Sequence, residues 1–469
     1  MKFKGGYNVL LKGRPETTVK VLPEPDVLYL PLKSKRFEFT QLRVKEGEQV
    51  NPGDLLAEDP DNYGVPLLAP RAGKVRLEQA EGHIVIEDVA KQEEQADLED
   101  DQVQHIERKL GIGGTQRYKL LRLGAWEFLY DAHTGALPDP MGTPQAVIVS
   151  TVSLEPFVAR GDAQLRTHLL HFSRGLQHLQ TLLEYQPIYV VVPDIKSEFA
   201  NLLRDHIRGG AAINIIEVPL AYPHDHFAIL ARKLNLPRDN GPVWALRTEG
   251  VLAVDRALTL TKPCLVRILS VGGIGVMSPT HVSAMTGYPL RSITEQYIFE
   301  PGARIIDGGI LTGEPFGSET LGVSTECRGI TALPELKDRE MFGFMRPGFD
   351  RSSYSACFLS SLMKRFSERF TTAMRGELRP CVSCNFCEEV CVAGISPHLI
   401  HKYLYRDLTE EAAIAGIDLC IECGLCSYVC PSKIDLRAQF TEAKKVIEQE
   451  RVELAKSKPE NEAVEETGA

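Results

Sequence analysis

The sequence predicts a multidomain α/β protein that ends in a helical, cysteine-rich part, and three observations carry that expectation. Short alternating strands broken by glycine and proline run from Val44 to Val75, and apolar strands alternate with amphipathic helices from Pro144 to Leu246. Eight of the eleven cysteines stand in two regular runs between Cys381 and Cys430. At 469 residues the chain has room for about three or four domains, each able to bury a core. Its 43% apolar and 25% charged residues are those of a soluble globular protein. No apolar run approaches the roughly 20 residues of a membrane helix, and Met1-Lys2-Phe3-Lys4-Gly5-Gly6 is not followed by a signal-peptide core, so the chain is expected to be neither exported nor membrane-spanning. A net charge of -10 argues against nucleic acid as a partner.

The first organised segment, within residues 1–95, reads V-K-E-G-E-Q-V-N-P-G-D-L-L-A-E-D and then P-L-L-A-P-R-A-G-K-V, with breaks at Gly47, Pro52-Gly53 and Pro70 to Gly73. The pattern resembles the biotinyl/lipoyl barrel fold. Carrier domains of that fold place a lysine at a hairpin tip, whereas Asp59 to Val65 here reads D-P-D-N-Y-G-V. A structural or docking barrel is therefore expected.

After an acidic linker from Lys91 to Gln102, an α/β domain is expected over residues 103–260. Pro144 to Val152 reads as a buried parallel strand. Leu165, Leu169, Phe172, Leu176, Leu179 and Leu183 then form one helix face, with Asp162 as its cap. Further strands are expected at Ile188 to Val192, Ile213 to Val218 and Val243 to Leu246, which together make a Rossmann-like sheet. Neither Leu110-Gly111-Ile112-Gly113-Gly114 nor Val271-Gly272-Gly273-Ile274-Gly275 has the strand-turn-helix setting of a dinucleotide fingerprint, so both read as tight turns. His224, Asp225 and His226 lack a nearby third and fourth ligand type and read as a solvated loop, and His168, His171 and His178 as helix-surface residues.

Residues 261–335 read as a small mixed domain of β-grasp (SLBB-like) proportions, with strands at Leu265 to Leu269 and Ala303 to Ile310 and a helix at Ser292 to Tyr297. The linker Arg346-Pro347-Gly348 and a helix at Leu362 to Phe370 lead into a helical domain over 350–455, with Ser396 and Thr409 as caps. Residues 456–469, rich in Glu, Lys and Pro, read as a disordered tail.

Within that helical domain Cys381, Cys384, Cys387 and Cys391 have the spacing C-x2-C-x2-C-x3-C, and Cys420, Cys423, Cys426 and Cys430 repeat it before Pro431. This is the ligand set of two 4Fe-4S clusters. Three close thiolates wrap one face of a cubane while the fourth reaches the other cluster, which pairs Cys381, Cys384 and Cys387 with Cys430 and pairs Cys420, Cys423 and Cys426 with Cys391. Zinc usually takes two C-x2-C pairs, and disulfides do not suit a chain whose remaining cysteines, Cys264, Cys327 and Cys357, are scattered singly. Lys433 and Arg379 flank the runs and read as surface cations.

The order of parts, from barrel through Rossmann-like and β-grasp domains to a helical dicluster ferredoxin, resembles the RnfC and NqrA family of peripheral subunits of membrane ion-translocating oxidoreductases. The likeness to NqrA lies in P-Q-A-V-I-V-S-T-V-S-L-E-P at Pro144 to Pro156, P-V-W-A-L-R-T-E-G-V-L-A-V at Pro242 to Val254, K-P-C-L-V-R at Lys262 to Arg267 and C-S-Y-V-C-P-S-K at Cys426 to Lys433. The likeness to RnfC lies in the two complete cysteine runs, which NqrA proteins lack. RnfC and its complex I relatives carry G-x-G-G-A-G-F-P for flavin and nucleotide, and the corresponding stretch here is Leu121 to Leu129, L-R-L-G-A-W-E-F-L. Trp126, Glu127 and Phe128 would fill the cofactor volume, and Tyr222 to His226 stands where those relatives have Y-P-Q-G-G, so FMN and NADH are not expected. The resemblance implies an electron-transfer subunit on the cytoplasmic face of the inner membrane, touching the membrane only through the other subunits of an Nqr/Rnf-type complex. Its donor or acceptor would be a flavin or iron-sulfur subunit of that complex, or a quinone at a membrane-facing surface. An RnfC-like NADH-oxidising FMN protein and a soluble iron-sulfur adaptor of another dehydrogenase stay open beside it.

Overall fold

The computed structural model describes residues 3–9, 11–90, 116–184, 186–195, 198–207, 213–298, 302–334 and 379–457. The acidic linker from Lys91 to Gln102, the glycines from Gly111 to Gly114, the Arg346-Pro347-Gly348 linker, the helix expected at Leu362 to Phe370, Cys357 and the tail beyond Ser457 lie outside the described residues. The chain divides into two compact units, one drawn from residues 8–337 and the other from residues 2–7 together with 374–469.

Among the described residues the first unit contains four sheets. Leu28–Pro31, His83–Glu87, Gly73–Arg76 and Gln49–Val50 form an antiparallel four-stranded sheet, and Gln41–Leu42, Leu55–Asp59 and Val65–Leu68 a three-stranded one. The hairpin tip after Leu55–Asp59 is fixed by the Asp59 carboxylate, which accepts N–H groups of Glu38, Asp61 and Asn62 at 2.8, 3.0 and 3.3 Å. That carboxylate closes the tip as a cap would close a helix.

The α/β sheet runs in the order Ile213–Val218, Ile188–Pro193, Ala146–Ser150, Val243–Arg247, all parallel, with Tyr130–Asp131 antiparallel at one edge. Every residue of Ala146–Ser150 is buried, as a parallel strand covered on both faces requires. Helices Leu169–Leu182 and Thr248–Leu260 pack together where Gly175 permits it, since a Cβ there would lie 2.4 Å from the Val251 carbonyl oxygen. The expected leucine face is real at Phe172, Leu176, Leu179 and Leu183, but Leu165 belongs to a separate short helix, Gly161–Leu165. Asp162 is not its cap: it sits inside the first turn, where its carboxylate takes the Arg160 guanidinium at 2.5 and 3.0 Å. The competing ion pair decides the carboxylate's position.

The remaining sheet has the order Val19–Val21, Thr280–Met285, Val266–Gly272, Gly329–Leu333, Arg304–Asp307, Glu314–Pro315, and helix Leu290–Tyr297 packs beside it. Val19–Val21, inside the segment expected to form the barrel, pairs in parallel with Thr280–Met285. Thr280–Met285 escapes a hydrophobic reading because its buried positions include Thr280 and His281, each satisfied by hydrogen bonds to Thr18 and Glu16 backbone oxygens.

In the second unit helices Phe386–Glu389, Pro397–Leu404, Thr409–Ile414, Leu425–Val429 and Leu436–Ser457 enclose a core of Ile400, Ala412, Ile417, Leu425 and Phe440. Ser396 occupies the cap position without a side-chain bond, Pro397 at the first helical position having already removed one donor. Thr409 is the first helical residue and Leu408 the cap, so the expected Thr409 cap is displaced by one.

Gly175→Ala should lower the stability of the first unit by about 1–3 kcal/mol, because the added methyl must push apart two packed helices. Urea unfolding followed by helical circular dichroism tests this, and an unchanged transition would mean the helices yield without cost.

Candidate functional site

Two hollows in the second unit gather all eight cysteines of the runs. Cys381, Cys384, Cys387 and Cys430 line one, with Asn385, His398 and Ile434. Cys391, Cys420, Cys423 and Cys426 line the other, with Val390, Ile395, Arg437 and Phe440, and Cys387 touches this hollow as well. The exchange of fourth cysteines follows from two short helices, Phe386–Glu389 and Leu425–Val429, which carry Cys387 and Cys426 and deliver Cys391 and Cys430 just past their ends. Among the described residues no group of three or more His, Cys, Asp or Glu side chains converges as a single metal ion needs. An all-sulfur donor set suits iron-sulfur chemistry.

The two loops are built alike. Ser383 and Asn385 in one, Glu422 and Gly424 in the other, have left-handed backbone with φ of 54, 63, 55 and 75°. Peptide N–H groups reach sulfur from the second loop and, for the first, from helix Pro397–Leu404. Glu422 N–H reaches Cys420 Sγ at 3.4 Å, and the N–H groups of His398 and Leu425 bond Cys387 and Cys423. Burial pushes the Cys387 thiol up to about 11 and Cys423 to about 12, with Cys420 and Cys426 also raised. Such thiols ionise only when a cation compensates them, so loading metal releases their protons.

The surface reading of the two flanking cations holds, and two other cations stand beside the second hollow. Lys433 and Arg379 are exposed, whereas Arg437 lines the hollow and Lys444 donates to the Cys420 carbonyl oxygen at 3.1 Å and to Glu422 at 2.5 Å. Their spacing of seven residues on Leu436–Ser457 places them on one helix face, the signal that could have identified them. The hollows differ in cover: Cys384 is exposed and Val382 beside it 66% exposed, while the cysteines of the second hollow are half-buried.

In the first unit the stretch Leu121 to Leu129 is packed solid. Trp126 is fully buried, stands edge-on to Trp244 at 5.2 Å and donates its indole N–H to Pro138 at 2.9 Å. Glu127 is buried 3.7 Å from Arg267, which also pairs with Glu249 at 3.1 Å and lies over the Phe128 ring at 4.3 Å. Arg36 donates to the carbonyl oxygens of Glu127 and Leu129 and pairs with Glu326 at 2.6 Å. Burial pushes the Glu127 carboxyl up to about 8 despite the nearby Arg267.

The histidine expectations need correction. His224 and Asp225 are buried rather than solvated, because Asp225 is satisfied by Leu154 N–H at 3.1 Å and Arg247 at 3.4 Å. His226 caps helix Phe227–Lys233 by accepting from Ala228 N–H. His171 and His178 are not merely surface residues: His171 meets buried Asp255 at 3.0 Å and His178 meets Thr259 at 2.9 Å, tying two helices together.

Residues 377–434 match the family described as a 4Fe-4S dicluster domain, and residues 115–260 match the NqrA second alpha/beta domain. The chain is 26% identical over 462 residues to the A-subunit of the Na(+)-translocating NADH-quinone reductase of Neisseria gonorrhoeae, covering 96% of this chain and 100% of that protein. The protein of the same name from Yersinia pestis is 26% identical over 474 residues, with coverage of 96% and 100%. These relatives are named as subunits of an oxidoreductase complex. A solved NAD+-reducing NiFe-hydrogenase in the H2-reduced state is similar over 74% of this chain and 63% of that one, at 11% identity and a TM-score of 0.40.

Because the Glu127 carboxyl is raised from 4.5 to about 8, the folded state holds a proton that the unfolded chain releases between those values. That stabilisation is complete below about 4.5 and lost as the pH rises through about 8. Glu127→Gln should remove this dependence, so wild-type Tm should fall relative to the variant as the pH rises across that window. Parallel Tm curves would show that Glu127 stays ionised beside Arg267.

Proposed function

We propose that this chain is a peripheral electron-transfer subunit of a membrane-bound ion-translocating oxidoreductase of the Nqr/Rnf type. One observation carries the reading: eight thiols meet in two neighbouring hollows on a chain similar along 96% of its length to proteins named as the A-subunit of such a reductase. Cys381, Cys384, Cys387 and Cys430 would hold one 4Fe-4S cluster, and Cys420, Cys423, Cys426 and Cys391 the other. When bound, the clusters supply one-electron transfer.

The chain's own residues explain how such a relay is tuned. Peptide N–H groups aimed at Cys387, Cys420 and Cys423 stabilise thiolate charge and draw a reduction potential upward. Val390, Ile395 and Phe440 keep water from the second hollow, and Arg437 and Lys444 offset negative charge beside it. Cys387, which lines both hollows, is the bridge between them. The exposed edge at Val382 and Cys384 makes the first hollow the port for a partner protein.

The same reading assigns residues 1–95 to a barrel, 103–260 to a Rossmann-like scaffold, 261–335 to a β-grasp-like domain and 350–455 to the cluster domain. It places the chain on the cytoplasmic face of the inner membrane and reserves quinone chemistry for a partner or a membrane-facing surface. Among the described residues no helix is long and apolar enough to cross a membrane. The packing of Trp126 against Trp244 opposes a flavin at the stretch where the RnfC-like alternative needs one.

Anaerobic addition of NADH to the isolated, cluster-loaded protein should leave the iron-sulfur absorbance intact, while dithionite bleaches it. Bleaching by NADH would overturn the partner-fed relay and make the chain an NADH entry point. Cys430→Ala and Cys391→Ala should each remove about half of the bound iron and leave a different cluster signal in the EPR spectrum. Loss of the same signal in both would refute the crossed ligand assignment.

A further inference from the structure

Residues 3–7 lie almost 400 positions from the cysteine runs in sequence, yet they fold into the same compact unit. Three contacts hold them there. Gly6 N–H donates to the Val390 carbonyl oxygen at 2.8 Å. Gly5, with φ of 67°, passes so close that a Cβ would lie 2.7 Å from the Cys391 carbonyl oxygen and 2.9 Å from that of Val390. The Tyr7 ring meets Tyr428 at 6.2 Å between centroids, and Tyr428 stands between Cys426 and Cys430 in sequence.

Helix Phe386–Glu389 has four residues, too few for its last carbonyl groups to find partners within it. Val390 follows it directly, and Gly6 supplies the missing donor. The peptide linking Val390 to Cys391 is thus held on several sides, since Cys391 N–H donates to Glu388 at 3.1 Å and Gly394 N–H approaches the Cys391 carbonyl at 3.4 Å. Cys391 is the residue that leaves the first run to line the second hollow, and Cys387 on the capped helix lines both. Glycine at position 5 is required twice over, by the left-handed backbone and by the absence of room for any side chain.

We infer that residues 3–7 are a clamp that positions Cys391, a role resting on the ligand assignment proposed above. The clamp fixes where the Cys391 thiolate stands and how much water reaches it, two determinants of cluster retention and potential. Its effect falls on the second cluster, because the peptide it holds carries that cluster's crossing ligand.

The test uses the full chain, loaded anaerobically. Gly5→Val should bring bound iron from about eight atoms to roughly half, with the EPR signal of the second cluster lost or converted to a three-iron type and the first preserved. Tyr7→Leu, which removes the ring contact with Tyr428 and leaves the glycines in place, should retain both clusters but shift the midpoint potential of one. Lys4→Ala, an exposed neighbour, should change nothing. Full iron content and two wild-type potentials in both the Gly5 and Tyr7 variants would overturn the clamp, as would equal loss of both clusters in Tyr7→Leu. A wild-type chain that binds zinc or shows no 4Fe-4S signal would instead defeat the ligand assignment on which the clamp rests.

Discussion

The organising constraint of the second unit is that neither C-x2-C-x2-C loop closes its hollow alone. Three thiols from one loop cover one side, and the fourth must come from elsewhere. The chain meets this by duplicating the loop and letting each copy finish the other's hollow, so Cys391 and Cys430 exchange places. Everything nearby serves that exchange. Left-handed Ser383, Asn385, Glu422 and Gly424 turn the loops, short helices carry the crossing cysteines outward, and Leu436–Ser457 backs the second hollow with Arg437, Phe440 and Lys444. Burial makes the thiols poor acids, so they keep their protons at neutral pH until a metal cation takes the protons' place.

A different constraint governs the first unit. Segments distant in sequence meet there around buried charge: Arg36 pairs with Glu326 and donates to the backbone of Glu127, and Arg267 pairs with Glu249 beside the Glu127 carboxyl. A buried ionic junction of this kind adds little net stability compared with apolar packing, but removing one member leaves another charge stranded. Trp126 and Phe128 fill the space around this junction, so the stretch Leu121 to Leu129 is a packed structural element.

Patterns with short periods were legible. The parallel strands Ala146–Ser150, Ile188–Pro193 and Val243–Arg247 stand where apolar runs placed them, because a strand buried on both faces has little freedom in composition, and Ile213–Val218 follows them at the partly exposed edge. Side chains whose role depends on a competing partner were not. Asp162 and Thr409 have cap-forming chemistry, yet Arg160 engages the first and the second lies one residue inside its helix. His224 and Asp225 look solvated until Arg247 and the Leu154 N–H are brought beside the carboxylate.

The sequence alone determined the donor chemistry, since cysteine spacing follows from the size of the group to be wrapped, and it determined the α/β character of the middle of the chain through apolar periodicity. Only the tertiary structure decided that Val19–Val21 completes a sheet with Thr280–Met285, that Arg437 and Lys444 are the cations beside the second hollow, and that Gly5 and Gly6 lie against Val390 and Cys391. The physical reason is range. Periodicity and spacing are written over a few residues, whereas a hydrogen bond between positions 6 and 390 leaves no trace in either segment except a pair of glycines.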